Sequence, residues 1–315
     1  MKNPWETLSQ LELIGHSPEI NHLRSYLPSI AKSEENVTVY GEAGTEKLLA
    51  TKILFENSLR KDRPILFSNA NNLNNHYDEE VTEPLLAGQK KMDTPLSCTL
   101  VIENLEYLDE KAQQKLLILA QKRNLEIKSQ TIPTSVRIIA TAHPNLITDL
   151  KNNKFNADLF LALTSVSLKL PPLRERRQDI PLLFEHYLKK QCMEFKKPIP
   201  IVDFEVFNHL MKHDWYGNIK ELENTIRTMV FTSPDGELLI DSLPFEVENL
   251  IFSKVQIQDL NIAVSQLEKE LLQKSLRKYA GNQSKAAKAL CLSEPNLRYK
   301  MKKLKINKKD YAFGH

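Results

Sequence analysis

The sequence predicts an α/β domain, a parallel sheet wrapped by helices, followed by an all-α region that ends in a helix-turn-helix. Three observations carry that expectation. Short β-branched runs alternate with helical patterns between residues 36 and 141, the order a parallel sheet requires because its strands need long crossover connections. The first run leads into Gly41-Glu42-Ala43-Gly44-Thr45-Glu46-Lys47-Leu48, close to the phosphate loop G-x-x-x-x-G-K-[ST]. After Pro171-Pro172 the strand signals stop, and the end of the chain is helical and basic.

Taken in order, Asn36–Tyr40, Pro64–Asn69, Cys98–Glu103 and Ser135–Thr141 are expected as strands, with Lys47–Arg60 and Asp109–Gln121 as helices between them. Beyond Pro171, Ile180, Leu183 and Tyr187 mark a helix. Another is expected over Trp215–Phe231, with a Gly217-Asn218 turn at its start. Pro234, Gly236 and Pro244 punctuate a boundary. The expected organisation is a core over 1–170, a helical region over 171–245, a linker over 246–259 and a last module over 260–315.

Composition narrows the class. The chain has 315 residues, 41% of them hydrophobic and 26% charged, an ordinary globular balance. Cys98, Cys192 and Cys291 match no zinc or disulfide spacing, so a reducing compartment is expected. The first residues show no signal-peptide pattern, and no run approaches 18 apolar residues, so no membrane partner is expected and the location is taken as cytoplasmic. Charge is unevenly placed. From Gly281 to Lys309 nine basic residues face Glu294 alone, a local +8 in a chain whose total is +3.

That basic end has its own pattern. Leu267, Leu271, Leu272 and Leu276 give one apolar side to a helix over Asn261–Ala280, and Gly281 is placed to close it. Gln283–Leu290 is a short alanine-rich helix. Ser293 is placed to N-cap the next helix, Pro295 falls in its first turn, and Leu297, Met301 and Leu304 form its buried stripe. Two short helices with a polar, basic second helix suit a DNA-reading helix-turn-helix; a helical hairpin with a basic face is the other reading of the same pattern. Candidate base-proximal residues are Asn296, Arg298, Tyr299 and Lys300, with Ser284 on the first helix and Lys302, Lys303 and Lys305 for phosphates.

The stretch from Gly281 to Leu304 resembles the Fis-type helix-turn-helix that closes bacterial enhancer-binding proteins, with Cys291 at the turn's usual glycine. The resemblance extends to the AAA+ domain of sigma-54-dependent activators. Leu13–Pro18 is similar to that family's adenine-bordering stretch, and Leu170–Pro181 to its L-P-P-L-R-E-R-R-E-D-I-P signature. Trp215–Asn224 is similar to W-P-G-N-V-R-E-L-E-N of its helical lid. The fold implied is a P-loop AAA+ core with an α-helical lid, and in this family the helix before the helix-turn-helix dimerises, which gives Leu267, Leu271 and Leu276 a second role.

The resemblance also exposes departures. The implied nucleotide-binding positions are Ile14, Gly15, Gly41, Gly44, Thr45, Glu46, Lys47, Glu103, Asn104 and Lys220. Glu46 replaces the loop's last glycine, where it either enters the anion-binding nest or swings outward and leaves room for ATP. Asn104 replaces the glutamate that activates water, and a neutral amide cannot take a proton. Asn156 and Ala162 replace two arginines that reach a neighbouring subunit's nucleotide, Lys220 replaces the lid arginine, and His143 stays within family variation. Asn69 to Ser97 lacks the G-A-F-T-G-A hexapeptide that touches sigma-54, and no receiver domain is expected before residue 13. The expectation is a DNA-binding regulator without ATPase activity and independent of sigma-54, binding ATP or another nucleotide without hydrolysis if at all. Double-stranded DNA, RNA polymerase or another regulator, and a homodimer or higher oligomer are the partners. An active sigma-54 ATPase and an inactive subunit that poisons an intact relative's ring are the alternatives.

Overall fold

The computed structural model describes residues 3–7, 11–89, 96–122, 124–127, 130–233, 236–244, 247, 260–279, 281–290, 292–304 and 306. The chain divides into two compact units, Met1–Leu243 and Pro244–His315.

In the first unit, β1 (Val37–Tyr40), β2 (Ile65–Asn69), β3 (Leu96–Glu103), β5 (Gln130–Ala142) and β6 (Val166–Lys169) form a parallel sheet in the order β2-β3-β5-β1-β6; β4 (Asn124–Ile127) adds an antiparallel hairpin to β5. Val39 pairs with Thr141, and Ile102 with Ala140. The carboxyl ends of β1, β3 and β5 therefore finish together, where parallel sheets place their ligand sites. Alternation along the strands sorts the core. Val37, Val39, Val101 and Ile139 pack with α1 (Pro18–Lys32) and α2 (Lys47–Glu56). Tyr40, Leu100, Ile102 and Ile138 face the opposite side, against α3 (Ala70–Tyr77), α4 (Glu83–Gln89), α5 (Glu110–Lys122), α6 (Leu146–Lys151) and α7 (Ala157–Leu163). Both faces of each central strand are buried, which explains their unbroken apolar runs.

Several boundaries differ from the sequence expectation. Helix α2 stops at Glu56 rather than Arg60, because buried Arg60 turns away to bond the carbonyls of Cys98 and Ser135 and the carboxylate of Glu34. Strand β6 has no clear signal, its Ser167 and Lys169 alternating with Val166 and Leu168. The lid is helical in α8 (Ile180–Phe195), α9 (Phe204–Lys212) and α10 (Asn218–Thr232), but strands do not end at Pro171. Residues Ile201–Val202 (β7) pair in parallel with Glu237–Leu238 (β8). Helix α10 begins at Asn218 rather than Trp215, since Trp215 and Asn218 both take positive φ and the buried indole donates to Leu210 O at 2.8 Å.

Among the described residues of the second unit, α11 (Leu260–Lys278), α12 (Gln283–Ala289) and α13 (Glu294–Lys303) pack together. Leu272, Leu276, Ala286, Ala287, Leu297 and Met301 form its core. Leu276 is fully buried, so it serves this core rather than a second helix of a dimer, whereas Leu271 is exposed; the Leu267 side chain lies outside the described residues. The Gly281 N–H closes α11 onto Leu276 O at 2.8 Å.

Candidate functional site

The loop between β1 and α2 meets the lid directly. Gly44 has φ +77, and a Cβ there would stand 2.1 Å from Gly217 O. Its carbonyl accepts from the N–H groups of Ile219 and Lys220 at 3.0 and 3.3 Å, so the loop caps the first turn of α10. Glu42 holds the same junction. Arg174 Nη1 donates to its Oε2 at 2.7 Å, and Asn218 Nδ2 at 3.2 Å, while Asn218 also donates to Ala43 O at 2.9 Å. The Arg174 hydrogen bond, stronger than the opposing effect of burial, brings the Glu42 carboxyl down to about 2.

Glu46 occupies a left-handed backbone position (φ +70), one that favours glycine. Its side chain turns toward the lid, where Tyr187 Oη donates to Oε1 at 2.8 Å. Burial, then the Glu46 charge, raises the Tyr187 phenol. Near it lies Arg176, 1% exposed, whose guanidinium has no hydrogen-bond partner among the described residues; burial lowers its pKa, and the Glu46 and Asp179 charges oppose that. The Glu46 carboxylate thus lies against the lid, on the wall of the cleft between loop and lid.

Lys47 Nζ donates to Gly41 O at 2.7 Å and Glu42 O at 2.9 Å, and burial lowers its pKa. Thr45 is buried and donates to Glu42 O. Glu103 ends β3, its carboxyl raised by burial. Asn104 follows in the left-handed region, its N–H on Thr141 Oγ1 at 3.1 Å, and the His143 N–H donates to Glu106 Oε2 at 3.0 Å. Lys220 Nζ bonds Glu223 at 2.9 Å, and Lys190 bonds the same carboxylate at 2.8 Å. Glu46, Lys47, Glu103, Asn104, Lys220 and Glu223 line a cleft of about 410 Å³ between loop and lid.

Gly15 packs so closely on Asp179 that a Cβ would lie 2.5 Å from Oδ2. Buried Asp179 accepts from the His16 and Ser17 N–H groups and from Ser17 Oγ, at 2.6 to 2.7 Å. Half-buried Ile14 precedes this anchor. On α7, Asn156 N-caps the helix by accepting from Leu159 N–H at 2.9 Å, and Ala162 O accepts from Asn36 Nδ2 at 2.9 Å.

In the second unit, Ser293 Oγ accepts from Asn296 N–H and N-caps α13. Asn296, Arg298, Tyr299, Lys302 and Lys303 are exposed along it. Arg298 is held by Glu294 and by Gln283, whose Oε1 accepts from Nε at 3.2 Å. Exposed Ser284 donates to Glu294 at 2.8 Å. Lys300 stands apart from the others, half-buried against α11 with Nζ on Glu268 at 2.7 Å. Lys305 lies outside the described residues.

Sequence reasoning missed the roles of Tyr187 and Glu223 in the cleft, of Arg176 and Asp179 beside it, and of Glu294 on α13. Arg176 and Asp179 had a signal, as charged residues inside the Leu170–Pro181 signature, and so did Glu223 inside the Trp215–Asn224 motif.

Comparison with known proteins agrees with both units. The sigma-54 interaction domain profile matches residues 14–173, an AAA+ ATPase lid domain profile 174–260, and a bacterial regulatory protein, Fis family, profile 263–304. Transcriptional regulatory protein ZraR of Escherichia coli (strain K12) is 29% identical over 315 residues, covering 95% of this chain and 70% of its own length. DNA-binding transcriptional regulator NtrC of Azospirillum brasilense is 28% identical, covering 96% and 71%. The crystal structure of NtrX from Brucella abortus in complex with ATP superposes with a TM-score of 0.67 at 24% identity, over 94% of this chain and 70% of that one, a likeness of fold.

Proposed function

Because this chain belongs to the sigma-54 interaction domain family and carries a Fis-type helix-turn-helix, we propose that it is a sequence-specific DNA-binding transcriptional regulator whose AAA+ body works without hydrolysing ATP and without sigma-54. The observation that carries the first half is Glu46, a carboxylate at the loop position that must let phosphate oxygens approach backbone N–H groups. The neighbouring residues do not fit a magnesium polyphosphate either. Lys47 is engaged by loop carbonyls, Lys220 is drawn to Glu223, and Asn104 offers no base. Asn156 caps α7 and the Ala162 carbonyl holds Asn36, and the guanidinium that stabilises transferring phosphate, worth about 10³–10⁵ in rate, has no counterpart at either position. A nucleotide bound without turnover must first displace the Glu46 side chain.

Independence from sigma-54 rests on the segment between β2 and β3, which lacks the hexapeptide and whose described residues run through helices α3 and α4. The body then serves oligomerisation, partner contact or ligand binding, with RNA polymerase or another regulator as partner. The purified protein, at high concentration with ATP and magnesium, is expected to show no turnover above a Lys47→Ala control, and to retain a defined duplex from a random pool. Turnover abolished by Lys47→Ala would restore the active ATPase. Suppression of an intact relative's turnover on mixing would indicate the ring-poisoning role instead.

A further inference from the structure

The single acid among the nine bases of residues 281–309 is Glu294, and it occupies the first turn of α13, where a DNA-reading helix brings side chains to base edges. A carboxylate there opposes phosphate binding, so general affinity for DNA does not account for it. The side chain is also fixed from two helices. Ser284 Oγ on α12 donates to Oε2 at 2.8 Å, and the Arg298 guanidinium donates to Oε1. Gln283, also on α12, takes the Arg298 Nε–H at 3.2 Å. An i,i+4 pair on an exposed helix contributes little by itself and needs neither Ser284 nor Gln283. The cluster instead orients one fork and one carboxylate at a surface where both are open, with side chains 63% and 37% exposed.

We propose that Glu294 is a specificity-determining residue of the DNA-binding surface. With Arg298 it forms a paired reader: Arg298 donates to guanine O6 and N7, and Glu294 accepts from the N4 amino group of a cytosine in an adjacent base pair. Hydrogen-bond accounting permits it. Arginine has five N–H donors; one goes to Gln283 and one to Glu294, leaving more than the two a guanine takes. A carboxylate accepts at about four lone-pair positions, and the Glu294 side chain is open to solvent over 37% of its surface. Discrimination also comes from repulsion, because thymine O4 or guanine O6 at the same place would face the carboxylate with another acceptor. Ser284 is a positioning residue in this arrangement. The inference rests on the DNA-binding reading above.

The test is selection of duplexes from a random library by the full chain, wild type and Glu294→Gln, followed by binding titrations across salt concentrations. Glu294→Gln is expected to lose about tenfold discrimination at one base pair while keeping its preference elsewhere. Its slope of log affinity against log salt should stay unchanged, because Arg298 keeps its guanine and no phosphate contact is gained or lost. Ser284→Ala, which leaves the N-caps Asn282 and Ser293 in place, should shift the same base pair in the same direction by less. An unchanged motif with unchanged discrimination in Glu294→Gln overturns the inference and leaves the DNA-binding reading standing. A wild-type chain that selects no motif overturns both.

Discussion

At the scale of single residues, Glu46 and Glu42 turn the phosphate loop into a joint with the lid. Replacing Glu46 by glycine removes the carboxylate from Tyr187 and relieves a left-handed backbone costing about 1 kcal/mol. Absolute stability therefore answers poorly, and response to ligand answers well. With ATP and magnesium, the melting temperature of Glu46→Gly is expected to rise and that of the wild type to stay still, since only binding to the folded state shifts it. An equal rise in both would contradict the role given to Glu46. Glu42 makes a pH prediction. Its carboxyl is held at about 2, below the ordinary 4.5, by the Arg174 hydrogen bond. A depressed carboxylate stabilises the fold above its unfolded value, and that contribution is lost as pH falls through 4.5 toward 2. Glu42→Gln should thus melt below the wild type near neutral pH, with the gap narrowing between pH 5 and pH 3; a constant gap would remove Glu42 from this role.

At the scale of elements, the recognition helix depends on its start and its stripe. Ser293→Ala is expected to cost about 1 kcal/mol, visible as faster amide exchange at Asn296 and its neighbours in the full chain. Leu297→Ala, at a fully buried position, should cost about 2–5 kcal/mol and abolish duplex binding, whereas a change at exposed Lys303 should weaken all duplexes alike. This helix was legible in the sequence because Ser293, Pro295 and the spacing of Leu297 and Met301 are local signals, and the structure uses each of them. The core strands were legible for a related reason: burial on both faces leaves plain apolar runs. Strands β6, β7 and β8 were not, since short polar segments become strands only through the neighbour they pair with. The loop residues could be identified, but not the destination of their side chains. That Glu46 reaches Tyr187, 141 positions away, is a long-range fact that no local pattern encodes.

At the scale of the whole molecule, core and lid of the first unit meet through the Glu42–Arg174 pair, the Glu46–Tyr187 hydrogen bond and the cap from Gly44. A distance reporter placed across core and lid is expected to stay constant when ATP and magnesium are added to the wild type. The same reporter should respond in a chain carrying both Glu46→Gly and Tyr187→Phe; movement in the wild type would count against a fixed joint. The cap from Gly44 has a separate bearing on how such chains are recognised. Its missing side chain is demanded by Gly217 O, 2.1 Å from where a Cβ would stand, whether or not any phosphate ever arrives. Steric fit alone thus requires a glycine at that position, and its presence is no measure of whether the loop still burns fuel.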